Sequence, residues 1–124
     1  MAAPNIVGIS TLVGITSVYQ LTGTTQTNIL QNAPSSNKVF KINTISVVNC
    51  NESTDAYVSI GISQGAGAGT TTNFLIAHAG VATGTALVVV DKASSFYLEE
   101  DRTITAQTSL GNETHVIVYY DSVE

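Results

Sequence analysis

The most concentrated group of ionisable side chains in the sequence is the run Glu99, Glu100, Asp101 and Arg102, within the stretch SFYLEEDRTITAQT. Only 10% of the chain is charged, so this run stands out. Carboxylates grouped on a flexible loop are suitable ligands for Ca²⁺, and a pair of carboxylates in a cleft can carry out acid and base chemistry. Calcium loops, however, place their acids at alternate positions, and adjacent side chains of a strand point to opposite faces. The spacing therefore disfavours both a metal site and a catalytic pair.

A hairpin turn explains the same run better. One apolar strand ends at Leu98, and the alternation of the next strand begins at Ile104, with polar residues between them. We expect Arg102 to pair with Glu100 or Asp101 across this turn, or to reach a neighbouring subunit through a bidentate carboxylate contact. An exposed ion pair contributes only about 0–1 kcal/mol, so its role would be to fix the turn or an interface.

Three tyrosines are further candidates for an interface. Tyr119 and Tyr120 are adjacent on one predicted strand, so one of them must face away from the core. Tyr97 lies just before the charged run. Outward tyrosines on a surface of low charge are typical anchors of protein interfaces, and ordinary packing within a sheet is the alternative explanation.

No other motif points to catalysis or to a bound cofactor. His78 and His115 lie on separate predicted strands, without a carboxylate or cysteine at ligand spacing. Cys50 is the only cysteine, which excludes a disulfide within the chain, and we expect it to be a buried structural thiol. No serine lies in a nucleophile-elbow motif, and GAGAG lacks the lysine of a phosphate loop. We therefore expect a protein without catalytic residues, metal or cofactor.

The composition favours a protein that works inside an assembly. Few residues are charged, so the surface must consist mainly of hydroxyl and amide groups, and charge is one of the factors that keep proteins apart. A net charge of -5 with four scattered basic residues offers no surface for phosphates, so nucleic acid is not an expected partner. The N-terminus lacks a signal-peptide pattern and no apolar run is long enough to span a membrane, so we expect a chain made in a cytoplasm without a membrane anchor.

Hydrophobic periodicity predicts an all-β fold, a single-domain antiparallel β-sandwich or jelly roll of about eight or nine strands. Turns rich in glycine or polar residues separate nine strand candidates, which are ISTLVGITSVYQLT, TNILQ, KVFKINTISVVNC, AYVSIGIS, NFLIAHAG, TALVVVDK, SFYL, RTITAQT and THVIVYYD. In AYVSIGIS, Ala56, Val58, Ile60 and Ile62 are predicted to face inward and Ser63 outward. In KVFKINTISVVNC, apolar residues at both odd and even positions predict burial on both faces.

One domain is predicted to span residues 1–124. Within it, residues 1–9 are a candidate for an extended N-terminal arm, because an added strand satisfies the exposed edge of a neighbouring sheet. Residues 65–69, which carry three glycines at alternate positions, predict a mobile loop.

Four segments carry a family resemblance: MAAPNIVGISTLVGIT, KVFKINTISVVN, YLEEDRTITAQTS and VIVYYDSVE. They resemble a family of small virion structural proteins of tailed bacteriophages, particularly marine and cyanobacterial phages. The similarity spans nearly the whole chain and is sharpest at KVFKIN and YLEEDR. It implies a compact all-β domain with a place on the virus particle, and it brings no catalytic residues to transfer.

The residues and the resemblance together lead to three hypotheses. The first is a capsid decoration, or cement, protein that binds the major capsid protein on the outer surface of the head, as a homo-oligomer and preferably a trimer. The second is a component of the neck, tail or fibre base of the same particle. In both, the protein is assembled into the virion in the host cytoplasm. The third is a carbohydrate-binding module, against which stand the absence of tryptophan and the shortage of a convergent polar and aromatic platform.

Overall fold

The computed structural model describes residues 11–65 and 72–124 of the chain. Within them it contains nine strands and a short 3-10 helix (Lys92–Ser94), the strands being β1 (Leu12–Leu21), β2 (Thr27–Asn32), β3 (Val39–Asn49), β4 (Ala56–Gln64), β5 (Thr72–Val81), β6 (Ala86–Val90), β7 (Phe96–Leu98), β8 (Arg102–Thr108) and β9 (Thr114–Val123). The predicted all-β fold is confirmed, and every predicted strand segment overlaps one of these strands. The candidate arm at residues 1–9 and most of the glycine-rich segment 65–69 lie outside the described residues.

The strands form two antiparallel sheets. The first sheet has the order β1-β9-β3-β6, with the short β7 also paired to β3, and the second sheet has the order β2-β8-β4-β5. The chain crosses from one sheet to the other at most of its connections, which is the wiring of a jelly roll. Residues distant in sequence are thereby brought side by side on each sheet.

Both sheets contribute to one apolar core. Its fully buried members are mainly β-branched, which favours the pleated strand conformation and fills the space between the sheets. They include Ile42, Ile45, Val47 and Val116 from the first sheet and Val58, Ile60, Ile104 and Ala106 from the second.

A bulge in β3 changes which face its residues occupy. Ile42 lies opposite Tyr120 and Thr44 lies opposite Tyr119, so Asn43 is an extra residue in β3. A bulge of this kind shifts the alternation by one position. Ile42 and Ile45 therefore both face the core, although the strict alternation of the sequence assigns them to opposite faces. The predicted burial of β3 on both faces holds only in part: on the face away from the core Val39 is buried, whereas Val48 is half-buried.

The predicted alternation holds for most of β4 and then ends. Ala56, Val58 and Ile60 are buried as predicted, whereas Ile62 is half-buried and Ser63, predicted to face outward, is buried. The pairing of β4 with β5 shifts register on both sides of Ile60, which interrupts the regular pattern.

Cys50 is exposed, so the prediction of a buried thiol is wrong. The strand β3 ends one residue earlier, at the fully buried Asn49. The Asn49 side-chain amide donates to the carbonyl oxygens of Thr54 and Val81, each at 3.0 Å, and its oxygen accepts from the backbone N–H of Asn51 at 2.9 Å. This buried amide turns the chain away from the core, which leaves Cys50 on the surface.

Candidate functional site

The charged run lies in a crossover between the two sheets, not in a hairpin. The preceding strand β7 pairs with β3 in the first sheet, whereas the following strand β8 pairs with β2 and β4 in the second. Asn32 contacts both ends of the crossover. Its side-chain Nδ2 donates to the Leu98 carbonyl oxygen at 3.0 Å, and its backbone carbonyl oxygen accepts from the Asp101 N–H at 2.9 Å. The hairpin prediction is wrong, since a short polar turn between two strands joins sheets as readily as it joins neighbours within one sheet.

The four charged side chains have different environments. Glu99 is exposed, whereas Glu100 is only 9% exposed and neither of its carboxylate oxygens has a hydrogen-bond partner. Arg102 is half-buried at the start of β8, and in the described part of the chain it pairs with neither Glu100 nor Asp101. The expected ion pair across the turn is therefore absent. In residues 11–65 and 72–124, no three His, Cys, Asp or Glu side chains are grouped to hold a metal ion.

The adjacent tyrosines divide as predicted, one inward and one outward. Tyr120 packs in the core against Phe40, with ring centroids 5.0 Å apart, and burial raises the pKa of its phenol. Tyr119 faces outward with 40% of its surface exposed, and Tyr97 is 48% exposed.

Tyr97 and Tyr119 lie on one surface, the outer face of the first sheet, which we name the outer sheet face. Residues opposite one another in an antiparallel ladder carry their side chains on the same side. Tyr97 lies opposite Lys41, which in turn lies opposite Asp121. Tyr119 is two positions from Asp121 on β9 and opposite Thr44, so the two outward tyrosines lie on the same face of the sheet, on the strands either side of β3.

An apolar row crosses the outer sheet face. On neighbouring strands, Val18 of β1 lies opposite Ile117 of β9, and Ile117 lies opposite Ser46 of β3. Ser46 in turn lies opposite Val88 of β6. Val18 is 65% exposed and Val88 is 56% exposed. Sequence reasoning did not single out these residues, although the apolar run of β6 already implied that some of its side chains face outward.

The outer sheet face is large enough to form the centre of an interface. Its four main strands span roughly 14 Å at about 4.8 Å between strands, and four outward positions along β1, β9 or β3 span roughly 20 Å at about 6.7 Å between positions, whereas β6 is shorter. Apart from tyrosine, the ionisable side chains that the strand register places on it are Lys41, Asp121 and His115. An exposed apolar patch with so little charge is typical of a protein-binding surface.

The strand β1 forms an edge of the same sheet. Leu12 and Val13 are both among its exposed large hydrophobic residues, although adjacent side chains of a strand point to opposite faces. This edge therefore exposes apolar surface on both sides, and within residues 11–65 and 72–124 no strand other than β9 pairs with it, so its backbone groups are a template for contact with another chain.

Comparisons with known proteins give structural likenesses only. No protein-family model matches the chain, and no curated protein matches its sequence. The chain is similar to a chain of the T13 particle of infectious bursal disease virus, with a TM-score of 0.48 and 12% identity over 93% of this chain and 31% of that one. A structure of the Gt strain of the same virus gives a TM-score of 0.41 and 12% identity over 92% of this chain and 30% of that one. The Gx strain gives a TM-score of 0.30 and 11% identity over 91% and 37%.

The chain spans about a third of the length of the viral chains that it matches. With TM-scores below 0.5, these likenesses carry no conclusion about function. Among the described residues there is also no helix with the length and hydrophobicity of a membrane span.

Proposed function

We propose that this chain is a non-enzymatic structural protein of a virus particle, and specifically a capsid decoration protein that binds the outer surface of a phage head through the outer sheet face. The observation that carries the proposal is the row of exposed Val18, half-buried Ile117 and exposed Val88, interrupted at β3 by Ser46, on a surface with few charges. The resemblance to phage virion proteins supplies the kind of particle. Jelly rolls also occur in viral capsid domains, which is an analogy at the level of the fold.

The energetics of this face suit a contact that is repeated many times. Burying the exposed parts of Val18 and Val88 stabilises a complex by about 1–2 kcal/mol each. A stable protein interface commonly buries about 800 Å² on each partner, which is more than the outer sheet face supplies by itself. One copy would therefore bind weakly, and an oligomer that engages several capsid sites together would bind far more tightly.

The edge strand β1 is the part of the chain that we propose for self-association. Leu12 and Val13 expose apolar surface on both sides of the strand that ends the first sheet in the described part of the chain, and a neighbouring copy would bury it. A homotrimer fits this arrangement, because a cyclic contact leaves the outer sheet faces of all its subunits pointing in related directions.

The measurement that tests the position on the particle is the copy number in purified virions, by quantitative mass spectrometry against the major capsid protein. We expect an abundance close to that of the major capsid protein, as decoration requires. An abundance that is a small fraction of it would favour the neck, tail or fibre base, and absence from the particle would overturn the proposal.

The variant Val88→Glu tests the binding surface. A charge in the apolar row must lose its hydration on binding, so we expect much less of the variant than of the wild-type protein on particles assembled with each. The control is Leu75→Glu, which adds the same charge at an exposed apolar residue of the second sheet. Equal incorporation of both variants would rule out the outer sheet face.

A further inference from the structure

A bulge in β5 places a histidine in an unusual backbone conformation. Val58 pairs with Ala79 and Ile60 pairs with Ile76, so Ala77 and His78 together lie opposite Ser59. His78 has a φ of 52°, in the left-handed region, and its backbone N–H donates to the Ser59 hydroxyl at 2.8 Å. Residues with side chains rarely adopt this conformation, and where they do they are often found at binding sites.

The bulge turns the His78 ring onto Tyr57. The two rings are stacked, with centroids 4.7 Å apart and planes 7° apart, and Tyr57 remains 46% exposed. Bulges commonly redirect a side chain next to a functional site. Here the result is a flat aromatic platform on the outer surface of the second sheet.

Polar groups converge on this platform around a hollow of about 330 Å³, whose lining includes Thr24, Ser59, Gln107 and Ser109 besides the two rings. The Ser109 hydroxyl accepts from the Tyr57 backbone N–H at 2.9 Å, as the Ser59 hydroxyl does from that of His78. Each hydroxyl therefore keeps its own proton to donate to a ligand.

The amide of Gln107 adds a further polar group. It donates from Nε2 to the Thr24 carbonyl oxygen at 3.2 Å, which holds the side chain at the rim and leaves its Oε1 to accept from a ligand. Among the described residues, the only ionisable side chains in the lining are those of Tyr57 and His78.

We propose that this hollow is a binding site for a neutral saccharide. A sugar ring has an apolar C–H face, which the electron-rich face of an aromatic ring attracts, and hydroxyl edges, which exchange hydrogen bonds with serine and glutamine. The volume falls at the small end of the range for ligand sites, so it suits one or two sugar units. A phosphate or nucleic acid is not favoured, because the lining that the structure describes contains no lysine or arginine.

This site goes beyond the proposed role in the particle. Tyr57 and His78 belong to the second sheet, whereas the outer sheet face belongs to the first. The polar and aromatic platform is also the feature whose shortage in the sequence argued against sugar binding. The bulge at His78 brings its parts together.

The experiment is a titration of the isotope-labelled protein with neutral sugars, followed by amide NMR. The probes are methyl glycosides of glucose, galactose and mannose, and N-acetylglucosamine, with a glycan array to extend the panel. We expect saturable shifts centred on Tyr57, Ser59, His78 and Gln107, with a dissociation constant in the millimolar range for at least one sugar.

Two single variants each remove one ring of the platform. His78→Gly deletes the ring at a backbone conformation that glycine adopts readily, and Tyr57→Ala deletes its stacking partner. We expect each to weaken binding about tenfold or more. Phe74→Ala, which removes an exposed aromatic residue outside the hollow, should bind as the wild type does.

The proposal would be overturned if no titrated sugar gave saturable shifts and no glycan on the array bound. Unchanged binding in both His78→Gly and Tyr57→Ala would also overturn it. Binding of a nucleoside such as adenosine in place of any sugar would also overturn it. The Val88→Glu variant should bind sugar normally, so a failure of the site is distinguishable from a failure of the proposed role in the particle.

Discussion

Replacing Glu100 with an uncharged residue should stabilise the protein. Its carboxyl group is buried at the crossover between the sheets, and neither oxygen has a hydrogen-bond partner. A carboxyl group in this position has lost its hydration and gained no hydrogen bond in return. We expect both Glu100→Gln and Glu100→Met to raise the free energy of unfolding, and the methionine variant to raise it more because it buries no polar atom.

The magnitude follows from the burial of this group. Leaving a buried polar group unsatisfied costs about 1–3 kcal/mol, and more for a charged group. Methionine has a similar length and flexibility and fills the same space, so it should recover most of that cost. We therefore expect a gain of about 1–3 kcal/mol, which corresponds to roughly 3–5 °C in Tm per kcal/mol for a domain of this size.

Urea unfolding at neutral pH measures this gain as a higher midpoint with an unchanged slope. The matched control is Glu99→Gln, which removes the same charge from the adjacent exposed residue and should change stability by less than about 0.5 kcal/mol. Loss of more than about 1 kcal/mol in Glu100→Met, with the control unchanged, would refute the reasoning, because the carboxyl group would then have a stabilising partner.

Three further predictions concern single residues. Asn32→Ala should lower the free energy of unfolding in urea by about 2–4 kcal/mol. The fully buried amide donates to the carbonyl oxygens of both Lys38 and Leu98, and the change leaves those oxygens unpaired. A loss below about 0.5 kcal/mol would contradict this. Burial raises the pKa of the Tyr120 phenol, so the unfolded chain releases this proton at a lower pH than the folded protein does. The contribution of Tyr120 to the free energy of unfolding should therefore be lost as the pH rises above about 10. The pH dependence of unfolding should be smaller in Tyr120→Phe, and an unchanged dependence would count against the assignment. Cys50 should react with an aromatic disulfide reagent in the native protein almost as fast as in the unfolded one, since it is exposed, and strong protection would show that the turn after β3 is closed.

The sequence alone determines where the strands are. Alternation of β-branched residues with polar ones is a property of a few neighbouring residues, so segments such as AYVSIGIS and RTITAQT specify strands whatever their partners are. The same local rule requires that one of Tyr119 and Tyr120 faces outward. The all-β class and the number of strands follow from repeating this pattern along the chain.

Tertiary structure decides which strands pair and which face each residue occupies. The extra residue Asn43 reverses the alternation of β3, and the bulge at His78 creates the aromatic platform; both depend on partner strands that are remote in sequence. Glu100 is buried in the crossover after β7, where the chain passes from one sheet to the other, and that pairing with different sheets is likewise not visible in the local sequence. Periodicity is short-range, whereas register is set by packing between distant segments, so the strands are readable from the sequence and the surfaces they form are not.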